Sequence, residues 1–472
     1  MAARYPASLD YVSNEMVSVR GVSTQMFKVQ PSSGLGSYAP GQKLQFVLPA
    51  NALFDCKNSR IFFRIVTSGN GARVGQGAKS LFSRLEVSVG GISLLSGANQ
   101  FNIIEHIKHI AGEYVPDCSE HGHMVQLFGA DGTRKGAINL LTAETYSERN
   151  GSLFSINLGD FSTISPQIID TSLLSSVTLS LTLAGNEVLA SCKGGNPEGS
   201  SGSGVETYVT ASAASSFTID NCYLAAEVYS INDGMYSALL QSRLAQVGAL
   251  EMRVKDHVVF EQNSFTGSLR AGLSASNITK LIACFRQSTF STQSGAVSVL
   301  GYDTEIANKF KDPVANGSKQ SYVTRHQNLT CPINKTSGSG NTNLYTVSNA
   351  DCGAYNNVEF PHFAFSVNSS QLPMYAPDAG EWLEMSKAAY DKRKFNVTTY
   401  PEWLQNKWFM AFQTDLPNSG TKLTGIDTRA ANSSLSVDLI TGSVEAGFNC
   451  LFIVEKVNTL VVGNGKAAEV IN

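Results

Sequence analysis

A seven-residue pattern occurs twice in this chain, and the two copies lie 228 positions apart. Asn221–Glu227 reads Asn-Cys-Tyr-Leu-Ala-Ala-Glu, and Asn449–Glu455 reads Asn-Cys-Leu-Phe-Ile-Val-Glu. In each copy the second, fourth and sixth residues are apolar, which is the two-residue period of a strand with one buried face. Because the copies divide the 472 residues into similar halves, we expect two similar β-domains in tandem, each closed by one copy.

The length and the charge content agree with this division. A chain of 472 residues is too long for one hydrophobic core and suits two domains of about 200–250 residues. Charged residues make up 15% of the chain, against about 25% in typical soluble proteins. So few charges suit β-sandwiches and also proteins whose surface is covered by neighbours. The net charge of −3 argues against a general electrostatic grip on nucleic acid, so no specific nucleic-acid binding is expected.

Short apolar runs with a period of two, separated by turn residues, recur along both halves. The clearest is Val177–Leu183, whereas helical spacing is confined to residues 99–110, 231–246 and 381–392. Frequent strands and few helices indicate an all-β fold of antiparallel sandwiches. The other predicted strands are Met26–Gln30, Lys43–Leu48, Arg60–Val66, Arg84–Val89, Leu153–Leu158, Phe217–Tyr229, Met252–Phe260, Ser268–Leu273, Thr279–Phe285, Val358–Val367, Trp408–Thr414, Ser434–Ile440 and Phe448–Val457.

The same patterns give a domain organisation in four parts. The parts are an amino-terminal arm (1–30), a first β-domain (31–230), a helical connector (231–247) and a second β-domain (248–472). Residues 193–215 and 303–350 are rich in Gly, Ser and Asn, and we expect long exposed loops there. Asn99 is the expected cap of the first helix.

The amino terminus and the cysteines indicate where the chain is made. Met-Ala-Ala-Arg-Tyr-Pro lacks the apolar run of a secretory signal, so synthesis in the cytoplasm without a signal peptide is expected. No window approaches the 18 apolar residues of a membrane-spanning helix. The eight cysteines form no Cys-x-x-Cys pair and are expected to be mostly buried thiols. Cys331 and Cys352 flank a loop and could pair if oxidised.

One cluster of polar residues has the softness that zinc prefers. Its members are His106, His109, Glu113, Cys118, His121 and His123. The His-x-His step lacks the second fixed ligand pair of structural zinc motifs, and we expect His106 and His109 to face solvent beside the isoleucines of their helix. No metal and no cofactor is therefore predicted.

Signals for catalysis are also weak. A Gly-x-Ser-x-Gly elbow between a strand and a helix does not occur, and no two acids stand out as a pair. We expect His257 and His326 to be structural, and the glycine-rich stretch Gly69–Gly75 to join two strands because no helix follows it. No catalytic residue is predicted.

Aromatic and basic residues alternate in Tyr390–Phe395 and Trp403–Trp408. Such mixtures can stack on single-stranded nucleic acid, but only residues 392–394 form a basic run, which favours a solvated helix end. We expect Trp382, Trp403 and Trp408 to pack in a domain core or a subunit contact.

Five short segments stand in an order that resembles a known family. They are Ser37–Pro49, Leu81–Ile92, Ile168–Leu183, Leu372–Pro377 and Leu423–Asp427. This order resembles the double jelly-roll major capsid proteins of tailless icosahedral double-stranded DNA viruses, most closely those of Polinton-like viruses and virophages, and more distantly those of nucleocytoplasmic large DNA viruses. The resemblance implies two tandem eight-stranded jelly rolls with a few short helices and long loops. It also implies a structural protein without a catalytic site.

In that family three copies form a pseudo-hexameric capsomer, because three chains of two similar domains offer six comparable edges. The resemblance therefore implies a location in the virion, with partners that are further copies of the chain, neighbouring capsomers, and penton and minor capsid proteins. An inner membrane is a candidate partner of the amino-terminal arm and of helix 381–392. Two other classes stay open: a lectin-like jelly-roll protein that binds glycans, and a tandem jelly-roll amidase or glycosidase.

Overall fold

The computed structural model describes most of both halves. The described residues are 22–34, 36–68, 72–74, 78–97, 99–112, 153–191, 216–231, 234–288, 297–298, 322–323, 325–333, 361–390, 395, 403–404, 407–416, 424–430, 433–463 and 468–471. Three α-helices lie in them. They are α1 (Phe101–Ile110), α2 (Gly234–Val247) and α3 (Ala379–Ala389).

The first half is a sandwich of two antiparallel sheets. Its strands are β1 (Val22–Val29), β2 (Lys43–Val47), β3 (Leu53–Asp55), β4 (Arg60–Ser68), β5 (Ala72–Val74), β6 (Phe82–Val89), β7 (Ile92–Leu95), β8 (Leu153–Asn157), β9 (Ile168–Asp170), β10 (Val177–Leu183), β11 (Leu189–Ser191) and β12 (Ser216–Ile231). One sheet has the order β8-β4-β12-β3-β9, with β1 also paired to β12, and the facing sheet has the order β2-β10-β6-β7. A separate pair, β5 and β11, occupies part of the glycine-rich stretch that we expected to be only a loop.

The second half repeats this arrangement. Its strands are β13 (Ala249–Gln262), β14 (Ser268–Ala271), β15 (Ile278–Gln287), β16 (Val297–Ser298), β17 (Tyr322–Val323), β18 (His362–Val367), β19 (Ser370–Leu372), β20 (Phe409–Gln413), β21 (Leu435–Thr441), β22 (Phe448–Gly463) and β23 (Ala468–Ile471). One sheet has the order β13-β22-β15-β20, with β23 also paired to β22, and the facing sheet has the order β14-β21-β18-β19. The prediction of two similar β-domains in tandem is confirmed.

The repeated seven-residue pattern forms the same part of each half. It lies in β12 and in β22, the longest strand of each half among the described residues, and all six apolar positions of the pattern are buried. In the first half β4 and then β3 pair along one edge of β12, while β1 pairs along the other. In the second half β15 and then β23 pair along one edge of β22, while β13 pairs along the other. Four strands thus correspond between the principal sheets: β8, β4, β12 and β1 in the first half match β20, β15, β22 and β13 in the second. The additional strands differ, because β3 and β9 precede β12 in the chain whereas β23 follows β22.

The two hydrophobic cores do not follow the sequence halves strictly. Met252 of β13 and Leu460 of β22 pack in the core of the first half. Conversely, Ile103, Ile104 and Ile107 of α1 pack in the core of the second half. Each half thus completes the core of the other, which joins them into one body. The domain boundaries given above remain a prediction.

Replacement of Ile107 by alanine is expected to lower the free energy of unfolding by about 2–5 kcal/mol, because it leaves a cavity in a packed core. Trp382, Trp403 and Trp408 lie in that same core, so tryptophan fluorescence during chemical denaturation reports its loss. Ile92→Ala is the matched control, since this isoleucine is 40% exposed. An unchanged fluorescence transition in Ile107→Ala would show that α1 is dispensable for the second half.

Several predicted boundaries differ from the structure. The helix predicted from Asn99 begins at Phe101 with Gln100 as its cap residue, and Gln100 makes no side-chain capping bond. Helix α3 begins earlier than expected because Asp378 accepts a hydrogen bond from the Glu381 amide and Glu381 accepts one from the Asp378 amide. Among the described residues, no helix has the length and apolar composition needed to span a bilayer.

The predicted exposed loops are only partly within the described residues. Residues 193–215 lie outside them, as does most of 303–350. Within the second range Leu329, Cys331 and Ile333 are buried, so the prediction of an exposed loop is wrong there. The reason is local pairing: the Cys331 amide donates to the Leu404 carbonyl, and Ile333 forms a bridge with Val444.

Candidate functional site

Of the polar cluster that was considered for zinc and not predicted to bind it, only His106 and His109 lie within the described residues. Glu113, Cys118, His121 and His123 lie outside the described ranges. His106 is buried, so the expectation that it faces solvent is wrong: α1 is covered on nearly all sides because it sits between the two halves. No group of three or more His, Cys, Asp or Glu side chains in the described ranges is arranged to hold a metal ion.

The predictions for the three tryptophans and for the described cysteines agree with the structure. Trp382, Trp403 and Trp408 are buried in the core of the second half, which confirms a domain-core role. The five cysteines in the described part of the chain are buried free thiols, Cys331 among them, while Cys352 lies outside it. Burial raises the pKa of Cys222 to about 12, so such thiols stay protonated and unreactive.

A chain of buried charges begins in the first half. Lys79 Nζ lies 2.5 Å from Glu105 Oε2. Glu105 Oε1 lies 3.2 Å from Lys108 Nζ one turn further along α1, and Lys108 also pairs with Asp160. All four side chains are buried. Alternating charges at these distances satisfy one another, as buried ions must.

The chain of charges continues into the second half through His257 on β13. Asp160 Oδ2 lies 2.8 Å from His257 Nδ1. Glu455, from the second copy of the repeated pattern, lies 3.5 Å from His257 Nε2, 3.2 Å from Lys255 Nζ and 3.4 Å from Lys280 Nζ. We call the eight residues from Lys79 to Glu455 the interdomain charge network: Lys79, Glu105, Lys108, Asp160, Lys255, His257, Lys280 and Glu455.

Contacts within the network shift the pKa values of Asp160, His257 and Glu455. Burial raises the pKa of the Asp160 carboxyl, but His257 and Lys108 lower it more, so that it lies well below its usual range. Burial lowers the pKa of His257, but Asp160 raises it more, to about 9. Burial likewise opposes ionisation of Glu455, yet Lys255 and Lys280 hold its pKa far below the usual value. At neutral pH Asp160, His257 and Glu455 are thus charged, and the ion pair between Asp160 and His257 joins the two halves.

A second buried group of side chains lies on a different face of α1. Burial, and after it the charges of His109, Lys407 and His326, together lower the pKa of His106 to about 3. Burial and then the charge of Arg286 lower the pKa of His326 to about 3. Both imidazoles are therefore neutral at pH 7. The structural role expected for His257 and His326 stays a prediction.

A small cavity beside the network is lined by Leu85, Leu95, Phe101, Ile104, Asp160, Asp256 and His257. It has space for about one water molecule, whereas small-molecule sites occupy about 300–1,000 Å³. What the arrangement does is mechanical, because it fixes one half against the other.

The outer edges of the two principal sheets carry exposed apolar side chains. Met26 and Phe27 on β1 are 68% and 44% exposed, and Leu416, which follows β20, is 65% exposed. Large apolar side chains at an edge strand are typical of surfaces that are covered in an assembly. The sequence pattern predicted a strand at Met26 but gave no sign that both faces would be open.

The interdomain charge network was not predictable from sequence motifs. Its members come from residues 79 to 455, and their spacing follows no motif. The one available signal was the charged pair His257 and Lys255 within an otherwise strand-like run, since a buried strand tolerates charge only where partners meet it.

Comparison with known proteins bears on the fold. No protein-family model matches the sequence, and no curated protein matches it. Among solved structures, PBCV-1 VP54, as fitted into a reconstruction of the virophage Sputnik, matches with a TM-score of 0.54 and 12% identity over 96% of this chain and 97% of that one.

Two further structures match in the same way. A quasi-atomic model of the PBCV-1 virus capsid gives a TM-score of 0.51 and 10% identity over 96% of this chain and 97% of that one. The Faustovirus major capsid protein gives 0.50 and 10% over 94% and 91%. The matches span both halves, and each half has a principal sheet four strands wide facing a sheet of four strands. The chain therefore has the double jelly-roll fold that these viral capsid structures share.

Proposed function

We propose that the chain is a major capsid protein whose homotrimers form the pseudo-hexameric capsomers of an icosahedral virus shell. The observation that carries the proposal is the match of four strands between the two principal sheets, β8-β4-β12-β1 in the first half and β20-β15-β22-β13 in the second. Two equivalent domains in one chain give six equivalent units in a trimer, which is what a hexagonal tile requires. The solved structures with the same fold, named as capsid components, support it.

The charge network suits this role. A capsomer needs a fixed angle between its units, and the ion pairs that Asp160 makes with Lys108 and His257, together with the exchanged core residues, hold the two halves at one angle. Capsomer contacts are individually weak and gain persistence from their number, so rigidity within each capsomer limits the freedom lost on assembly.

Other partners follow from the same role. They are neighbouring capsomers, penton and minor capsid proteins, with the virion as the location. An inner membrane remains a candidate partner of the amino-terminal arm. Helix α3 suits a membrane less well than expected, because Trp382 and Leu383 face the core while Glu381 and Glu384 are exposed.

The purified protein is expected to have a native mass of three times 50.5 kDa, because obligate trimers bury large apolar interfaces. Native mass spectrometry measures this, and electron microscopy of the same sample should show particles with six-cornered outlines. A species of 50.5 kDa that binds a glycan array would instead support a lectin. A monomer that releases sugar or amide products from polysaccharide would support the hydrolase alternative.

A further inference from the structure

Helix α1 carries ionisable side chains of two different kinds on two of its faces. Glu105 and Lys108, one turn apart, belong to the interdomain charge network and have counter-ions there. His106 and His109 are also one turn apart, and they lie about 100° further round the helix. One face of α1 is therefore held by ion pairs, whereas the other carries two histidines.

His106 is buried without a hydrogen bond. It is 2% exposed, and neither of its ring nitrogens has a partner within the part of the chain that the structure describes. The charged groups that act on it are His109 on its own helix, Lys407 and His326. A neutral imidazole is tolerated in such a place, but a protonated one would be a buried charge on which only positive charges act, and this is costly.

His326 lies in the short helix Arg325–Gln327 and is 4% exposed. The charge that acts on it is that of Arg286 on β15, which is itself buried. Two acids act on this guanidinium: Glu261 of β13 pairs with it at 3.0 Å, and Glu187 acts from a short helix that contacts the one that holds His326. Among the described residues, the charged groups that act on the two imidazoles are thus all basic.

His326 opens a segment of the second half, residues 325–333, which we call the latch segment. The Cys331 amide of this segment donates to the Leu404 carbonyl at 2.7 Å. Beside it, the indole N–H groups of Trp403 and Trp408 are buried without an acceptor in the described residues. Buried donors without acceptors cost free energy, so this part of the core is expected to open locally before better-satisfied parts do.

The face of α1 that belongs to the charge network responds differently to acid. Burial raises the pKa of the Glu105 carboxyl, but Lys79 and Lys108 lower it more. Asp160, which pairs with Lys108, has a pKa well below its usual range for the same kind of reason. These carboxylates therefore stay charged when the pH falls below the ordinary histidine pKa of about 6.5, and the network continues to hold α1.

We propose that α1 and the latch segment form an acid latch, in which protonation of His106 and His326 releases the latch segment from α1 while the charge network keeps the two halves joined. The protons come from solvent, and opening gives both imidazoles the hydration that their charged forms require. The proposal goes beyond the proposed function and does not depend on it, because all the groups belong to one chain.

The two histidines set the size of the effect. In the closed protein burial, followed by nearby positive charges, lowers the pKa of each to about 3, whereas in the open form each has the ordinary value of about 6.5. Opening is therefore favoured as the pH falls. From pH 7 to pH 4.5 its equilibrium constant is expected to rise about 100-fold for each histidine, or about 10,000-fold for both.

Cys331 reports the opening directly, because it is a buried free thiol within the latch segment. Purified wild-type protein is treated at pH 7 and at pH 4.5 with a dipyridyl disulfide, which reacts with thiols in acid, and mass spectrometry of peptides locates the labelled cysteines. Each rate is divided by that of the urea-unfolded protein at the same pH. We expect Cys331 to become reactive at pH 4.5 while Cys56, buried in the core of the first half, stays protected.

Histidine variants assign the effect. His106→Leu and His326→Leu should each reduce the rise in Cys331 labelling to about 100-fold, and the double variant should abolish it, whereas His362→Leu, at a half-buried histidine of β18, should keep the full rise. Thermal unfolding at pH 7 shows that each variant folds. A double variant that is labelled in acid as fast as the wild type overturns the latch. Equal labelling of Cys331 and Cys56 in the wild type also overturns it, because the whole chain would then be unfolding, and so does a wild type in which neither is labelled.

Discussion

Replacement of Glu455 by glutamine is expected to lower the free energy of unfolding by about 3–5 kcal/mol, because it leaves buried positive charges without their counter-ion. Glu455 is fully buried and lies within 3.5 Å of Lys255, His257 and Lys280. Glutamine keeps the shape and the hydrogen bond that Glu455 accepts from Thr279 Oγ1 at 2.7 Å. The loss therefore measures the charge and not the packing.

Guanidinium denaturation of the variant and the wild type, compared by midpoint and slope, gives the difference. Glu251→Gln is the matched control. Glu251 lies on the same strand as His257 and pairs with Arg253 at 2.8 Å, but it is exposed to solvent. Exposed ion pairs contribute about 1 kcal/mol or less. If the two variants were equally stable, the interdomain charge network would have no role in holding the halves together.

The repeated pattern shows what the sequence could predict and where it stopped. Both copies end in glutamate, and both strands were predicted. Yet Glu227 is only half-buried and accepts a hydrogen bond from Tyr229, while Glu455 is buried at the centre of the network. The difference comes from β13 and β15, which bring Lys255, His257 and Lys280 to Glu455, and a local pattern carries no information about partners so far away in the sequence.

The length of β22 was missed for the same reason. Its predicted end was Val457, because the polar residues Asn458 and Thr459 break the alternation. The strand continues to Gly463, since Asn458 is buried between the halves and donates to the Leu94 carbonyl at 2.7 Å and to Asp256 Oδ2 at 3.1 Å. Strands were predictable where one face meets one core, and not where a strand passes from one core to the other.

The stability of the protein is expected to fall on both sides of about pH 6.5–7, and the acid side has the larger effect. The pKa of His106 and that of His326 are each lowered to about 3 in the folded protein, against about 6.5 in an unfolded chain. Between pH 6.5 and pH 3 these two histidines are protonated in the unfolded chain but not in the folded protein, so the free energy of unfolding falls as the pH falls. From pH 7 to pH 4 each histidine contributes a loss of about 3 kcal/mol.

On the alkaline side the sign is reversed. The pKa of His257 is raised to about 9, so its contribution is complete below pH 6.5 and is lost as pH rises through 9, by about 3 kcal/mol. Buried thiols such as Cys284, whose pKa is raised to about 12, begin to add to the loss only above the ordinary thiol pKa of about 8.5. The loss of stability between pH 6.5 and pH 8.5 is therefore expected to come from His257.

Denaturation midpoints from pH 4.5 to pH 9, measured for the wild type and two variants, separate these contributions. His106→Leu removes one of the two neutral histidines, so it should halve the slope between pH 6.5 and pH 4.5 without changing the alkaline side. His257→Gln should flatten the interval from pH 6.5 to 8.5 and leave the acid slope unchanged. Acid slopes that stayed equal in the wild type and His106→Leu would mean that His106 accepts a proton in the folded protein, and that the cations around it do not keep it neutral.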